Sequence, residues 1–242
     1  MLDTLFNPSS WVALLQIIGI NIVLSGDNAV VIALACRSLP EKERRLGVLF
    51  GSGGAIVLRI ILTFFAVSLL QYPYLKIVGA LLLLWIGIKL LVPEDDHGDG
   101  ISANDNLTTA IRTIIIADLV MSLDNVMGVA AAAKDNVALI IIGLGISIPI
   151  IMLGSTLIMK IMDRFPIIIT VGGALLGYVA GEMAVTDKAI AAWIEQHAPY
   201  LHTLLPILSA IFVVAVGKWL VVRHESGDKP LVNMAEVPSE RR

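Results

Sequence analysis

The chain has 242 residues, of which 57% are hydrophobic and 15% charged, with a mean hydropathy of +0.87 and a formal net charge of −3. A soluble domain carries roughly 25% charged residues, so this composition is that of an integral membrane protein. The small net charge excludes nucleic acid as an expected partner, and the lone Cys36 excludes an internal disulfide and a multi-thiolate zinc or iron–sulfur site.

Apolar runs of about 20 residues, enough to cross a bilayer, recur along the chain. In order they are Ser10–Ala35, Leu46–Leu70, Tyr74–Val92, Leu107–Ala133, Val137–Lys160, Phe165–Met183 and Leu204–Val222. The first lacks the basic flank and cleavage-like site of a signal peptide. A membrane strand would alternate apolar and polar residues. These runs are apolar all round, and a helix satisfies its own backbone amides. The expected fold is therefore an all-α membrane protein with about seven transmembrane helices, forming one transmembrane domain over 10–222. Pro93–Asn106 reads as an acidic loop and 223–242 as a charged tail. Thr186–Thr203, with Trp193 and Tyr200, reads as an amphipathic segment at the membrane interface.

Basic residues set the orientation. Thirteen of the seventeen Lys and Arg flank alternate connections and the C-terminus: Arg37, Lys42, Arg44, Arg45, Lys89, Arg112, Lys160, Arg164, Lys218, Arg223, Lys229, Arg241 and Arg242. Lys76, Lys134 and Lys188 lie on the other side. The excess marks the cytoplasmic face, which puts the N-terminus outside and the C-terminus inside.

Two stretches carry polar groups where hydrocarbon is expected. Asn21-x3-Ser25-Gly26-Asp27-Asn28 in the first run matches Asp118-x3-Ser122-Leu123-Asp124-Asn125 in the fourth at one constant offset. The correspondence continues: Gly51-Ser52-Gly53 with Gly143-Leu144-Gly145, Tyr72-Pro73 with Phe165-Pro166, and Val78-Gly79-Ala80 with Val171-Gly172-Gly173. Each unit (about 10–92 and 107–183) then holds three spans, so the second enters the membrane from the opposite side. The seventh helix (204–222) stands outside the repeat. This is the layout of transporters whose sites lie near the midplane between inverted repeats.

A charged Asp at mid-bilayer costs about 2.5–3.5 kcal/mol, so the paired acids need a bound cation, a proton or a basic partner. The candidate ligands are Asp27, Asn28, Asp124 and Asn125, with Asn21, Asp118, Ser25 and Ser122 as ligands or supports. All are oxygen donors, which suit hard divalent ions such as Mg²⁺, Ca²⁺ or Mn²⁺. Up to three carboxylates would face one ion, leaving room for proton exchange. Arg59, inside the second span, reads as an ion-pair partner of Glu182 or another acid, or as a gate. The Gly51/Gly53 and Gly143/Gly145 pairs read as close helix contacts.

The paired SGDNAVVIA and SLDNVMGVA, with seven spans and an acidic loop after the third, resemble the TerC family of membrane proteins, nearest its YjbE-type bacterial branch. The likeness runs from about Trp11 to Leu220. It implies metal-ion transport in the bacterial inner (cytoplasmic) membrane, with manganese efflux foremost and an association with tellurite or envelope stress resistance. It also implies that Asp27, Asn28, Asp124 and Asn125 ligate the metal. No tightly bound cofactor is expected; the metal is cargo, and protons are a candidate coupling ion. Two alternatives remain. One is a membrane partner that delivers metal to exported proteins. The other is an intramembrane aspartyl hydrolase, disfavoured because Leu24 stands where its Gly-x-Gly-Asp pattern needs glycine. The chain is therefore expected not to be an enzyme.

Overall fold

The computed structural model describes residues 11, 14–19, 26–69, 71–92, 103–133 and 137–227; for 66–67, 103–105, 124–133, 137–140, 148 and 224–227 it describes the backbone only. All regular structure among these residues is helical. After a short helical stretch over 14–19, the elements are α1 (Gly26–Cys36), α2 (Glu41–Leu69), α3 (Leu75–Leu91), α4 (Ala103–Ala133), α5 (Val137–Arg164), α6 (Ile167–Val185), α7 (Ala191–His197) and α8 (Leu201–Gly227). Five stretches within α2, α4, α5, α6 and α8 are long and apolar enough to cross a membrane: Glu41–Phe65, Asn106–Leu123, Ile141–Arg164, Ile167–Val185 and Leu201–Arg223. The 17 residues of α3 stand at the lower limit of that length, and α1 is described over 11 residues.

Several boundaries differ from those expected. Helix α2 starts at Glu41 rather than Leu46. Pro40 ends the preceding turn, its carbonyl accepts from the Glu43 and Arg44 amides, and the first-turn acids Glu41 and Glu43 suit the positive end of the helix dipole. Helix α4 begins at Ala103, inside the segment read as loop, since neither Gly nor Pro interrupts the sequence between Gly100 and Gly128. Helix α8 continues to Gly227, so the tail opens with a helical extension.

Packing directions follow from which residues meet. Gly47 meets Leu107, Gly51 meets Ile114, Gly54 meets Ile115 and Arg59 meets Asp118, so α2 and α4 run parallel along an extensive interface. Gly143 meets Ile17 and Gly154 faces Ala29, so α5 runs parallel to the first segment. Helices α1 and α4 are antiparallel: Asn28 pairs with Asp118, while Leu34 and Ala35 lie near Thr109, Ala110 and Thr113. Helix α6 packs antiparallel on both α3 and α8. At Gly177 and Gly181 the α8 backbone comes so close that a Cβ would stand 2.6 Å from the Ser209 carbonyl oxygen and 2.5 Å from Pro206 Cα. Gly53 and Gly145, expected at helix contacts, face open space instead.

The interior is built from Val31, Leu34, Leu83, Ile86, Ile114, Ala117, Leu176 and Ala180. Outward faces are strongly apolar: Leu49, Phe50, Val57, Ile61 and Phe64 on α2, and Ile207, Leu208, Ile211 and Phe212 on α8 are all exposed. Such continuous apolar surface is matched by lipid, not water.

The ends are tied by polar contacts. Arg44 donates to the Leu39 and Arg37 carbonyls at 2.9 and 2.7 Å, closing the C-terminal end of α1 with a cation. At the opposite face, Asp187 accepts from the backbone amides of Tyr74, Lys76 and Ile77, at the start of α3, and of Ala189. This staple holds Tyr74 in its left-handed conformation, φ 67°. Burial pushes the Asp187 carboxyl up, but its four amide donors outweigh that and hold it below the ordinary carboxylate value. The expected interfacial segment forms α7, where exposed Trp193 stacks on His197 at 5.4 Å.

Candidate functional site

Where α1, α2 and α4 meet, hydrocarbon gives way to a closed polar cluster. Asn28, Arg59, Asp118 and Ser122 are 3%, 2%, 8% and 0% exposed, so each must find its partner within the protein. Arg59 is fixed by α2 and reaches across to α4. Its Nη2 forms a short ion pair with Asp118 Oδ1, and its Nε donates to Ser122 Oγ at 2.9 Å. One turn after Asp118 on α4, the Ser122 hydroxyl donates to Asp118 Oδ2 at 3.1 Å. The α1 side chain of Asn28 donates from Nδ2 to Asp118 Oδ1 at 2.9 Å. Both oxygens of Asp118 are thus taken up by protein donors. Behind Arg59, the Thr63 hydroxyl bonds back to the Arg59 carbonyl at 2.8 Å.

Asp27 stands beside this cluster in the first turn of α1, half-buried, and accepts from the Asn28 amide at 2.8 Å. One atom of Asn28 is left over: its Oδ1 is buried and has no hydrogen-bond partner among the described residues. A small cavity with about 10 Å³ of free space lies among these helices, lined by Asn28, Val31, Ile32, Ala55, Ile114 and Asp118. That is room for about one water.

Of the eight residues expected at the site, Asp27, Asn28, Asp118 and Ser122 are brought together here. Asp124 and Asn125 lie on the same helix as Asp118, with their side chains outside the described residues. Asn21 and Ser25 lie outside the described residues altogether. Among the described residues, no group of three or more His, Cys, Asp or Glu is clustered as a metal site. Arg59 pairs with Asp118, so the acid left open beside Glu182 is on α4. Its place in the cluster was within reach of the sequence: the spans hold few acids to balance a buried guanidinium. Ser52, Arg59 and Thr63 also share one face of α2 by their spacing.

A transmembrane helical bundle with this motif can be compared with known proteins. The profile of the "Integral membrane protein TerC family" matches residues 6–225. The chain belongs to the TerC family. It is 45% identical over 203 residues to "Uncharacterized membrane protein YjbE" of Bacillus subtilis strain 168, covering 84% of this chain and 92% of that one. Its likeness to YkoY of the same organism is 25% over 238 residues, covering 87% of this chain and 72% of that one. "UPF0053 inner membrane protein YgdQ" of Escherichia coli K12 is 24% identical over 178 residues, covering 66% of this chain and 74% of that one. No solved structure matches. The TerC protein described here is thus a multi-pass integral membrane protein in contact with the lipid bilayer.

Proposed function

We propose that this TerC protein carries a hard divalent cation, Mn²⁺ foremost, out of the cytoplasm by alternating access at a site between α1 and α4. The observation that carries the reading is the Asn28 side-chain carbonyl oxygen: it is deeply buried, without a donor among the described residues, in a residue that follows Asp27 and lines a small cavity. An oxygen in that position is an acceptor waiting for a cation, because burying it unsatisfied costs about 1–3 kcal/mol.

In this reading the chain crosses the inner membrane seven times, N-terminus outside and C-terminus in the cytoplasm, as two inverted three-helix units plus α8. Duplicated packing supports the inversion. Gly51 receives Ile114, and its sequence counterpart Gly143 receives Ile17, where Ile17 and Ile114 stand four residues before the paired motifs. The α2–α4 and α1–α5 pairs are both parallel, while α1 and α4, which carry the motifs, cross antiparallel. Asp27 and Asn28 from one unit and Asp124 and Asn125 from the other would hold the ion at mid-depth, and rocking of the units would expose it to each side in turn. The activity is passage of an ion, with no covalent step.

The test is manganese tolerance and cellular manganese content in cells carrying Asp27→Asn or Asp124→Asn as the only copy, with membrane levels verified. Both variants are expected to accumulate manganese and lose tolerance. Normal tolerance in both would end the proposal.

A further inference from the structure

The cluster contains a cation of its own, and its position gives Asp118 work different from that of Asp27. A carboxylate only accepts hydrogen bonds, so the Asn28 amide must turn its NH₂ toward Asp118 and its Oδ1 away. Asp118 is in turn held by Arg59 and Ser122, through bonds that use both carboxylate oxygens. The chain of contacts therefore runs Arg59 to Asp118 to Asn28, and it ends on the Asn28 Oδ1, which has no partner among the described residues.

We infer that Arg59 and Asp118 form a charge-neutral positioning pair that aims the Asn28 carbonyl at the ion and leaves the site with the two carboxylates of Asp27 and Asp124 to match one divalent cation. This rests on the cation-site reading above and deepens it. Three acids and no base would leave one negative charge in excess of M²⁺. With the guanidinium counted, the loaded site is neutral. Asp118 is then a holder of Asn28 and not a ligand, although it belongs to the repeated motif. The asymmetry of that motif fits: the first copy has uncharged Asn21 where the second has Asp118, and one arginine balances one extra acid.

The experiment is Mn²⁺ titration of the purified, detergent-solubilised full-length protein by calorimetry, for wild type, Asp118→Asn, Arg59→Gln and the double variant. Size-exclusion profile and thermal unfolding show that each is folded. Asp118→Asn leaves the guanidinium uncompensated beside the ion and is expected to weaken Mn²⁺ binding on the order of 100-fold or more. Arg59→Gln adds a net negative charge and is expected to tighten it by about tenfold. The double variant restores neutrality, and the amide oxygen that Asp118→Asn introduces still accepts from Asn28, so its affinity returns to within about threefold of wild type. Rescue of this kind is not the behaviour of a merely structural pair. A folded double variant that binds as poorly as Asp118→Asn would overturn the inference and make Asp118 a ligand. So would an Asp118→Asn that binds as wild type. If Asp118→Asn does not fold, Arg59→Gln and the double variant carry the comparison: weakened binding in Arg59→Gln, or loss in the double, overturns it. Asp27→Asn in the same titration separates the two levels. Undiminished Mn²⁺ binding there refutes the cation site itself, whatever the pair does.

Discussion

Glycine at 181 is where the packing makes its sharpest demand. A Cβ there would lie 2.5 Å from Pro206 Cα and 2.7 Å from both the Pro206 nitrogen and the Leu205 carbonyl oxygen. All three are backbone atoms, so no rotamer change relieves the clash. Reaching ordinary contact requires α8 to retreat by roughly 1 Å, and overpacking of this kind costs about 1–3 kcal/mol. Alanine recovers up to about 1 kcal/mol in intrinsic helix preference, which leaves Gly181→Ala destabilised overall. Gly53→Ala is the internal control: nothing lies within 4 Å of its Cβ, so only the helix-preference gain remains. Thermal unfolding in one detergent, followed by circular dichroism, should place Gly181→Ala below wild type and Gly53→Ala at or above it, about 1–3 kcal/mol apart. Gly177→Ala should resemble Gly181→Ala. The double variant should cost less than the sum, since one displacement relieves both positions. Equal midpoints for Gly181→Ala and Gly53→Ala would refute the close approach of α6 and α8.

Two further predictions concern polar contacts. Asp187→Asn should destabilise the protein by about 3 kcal/mol at neutral pH, because it removes the charged acceptor of four amides. The folded-state pKa of Asp187 is depressed. Its stabilisation is therefore complete above about pH 4, the unfolded value, and is lost as pH falls through the folded value; the wild-type advantage over Asp187→Asn should shrink in unfolding measured at pH 3. Ser122→Ala should cost about 1–3 kcal/mol in thermal unfolding, since the Arg59 Nε–H loses its acceptor inside the bundle.

Much of the fold was legible because hydrocarbon solvent permits so little. Long apolar runs must be helices, and most were placed to within a few residues. Asp27 and Asn28 stood out for the same reason: carboxylate and amide in an apolar run need a partner, and a repeated pair suggests a shared one. The sequence did not reveal which helices meet. The sequence leaves open whether Arg59 meets Glu182 or another acid, because pairing depends on the rotation and tilt of α2 against α4, which spacing along one helix does not report. Gly53 and Gly145 illustrate the same limit. They sit two residues from glycines that do receive a neighbour, and two positions on a helix are a rotation of about 200°, enough to face away from the contact. The early start of α4 was hidden by polarity, since a polar first turn outside the membrane looks like loop until its backbone is seen.

The cavity beside Asn28 bears on which ions the proposed site would accept. A space that holds about one water has no room for a cation together with its hydration shell, so an ion held there in this closed arrangement would have exchanged water oxygens for protein ones. That exchange is hardest for Mg²⁺, the small ion that dehydrates most reluctantly. The close fit of α1 against α4 would then act as a filter on hydration energy, rejecting the abundant ion by what it refuses to shed and not by its charge or ligand preference.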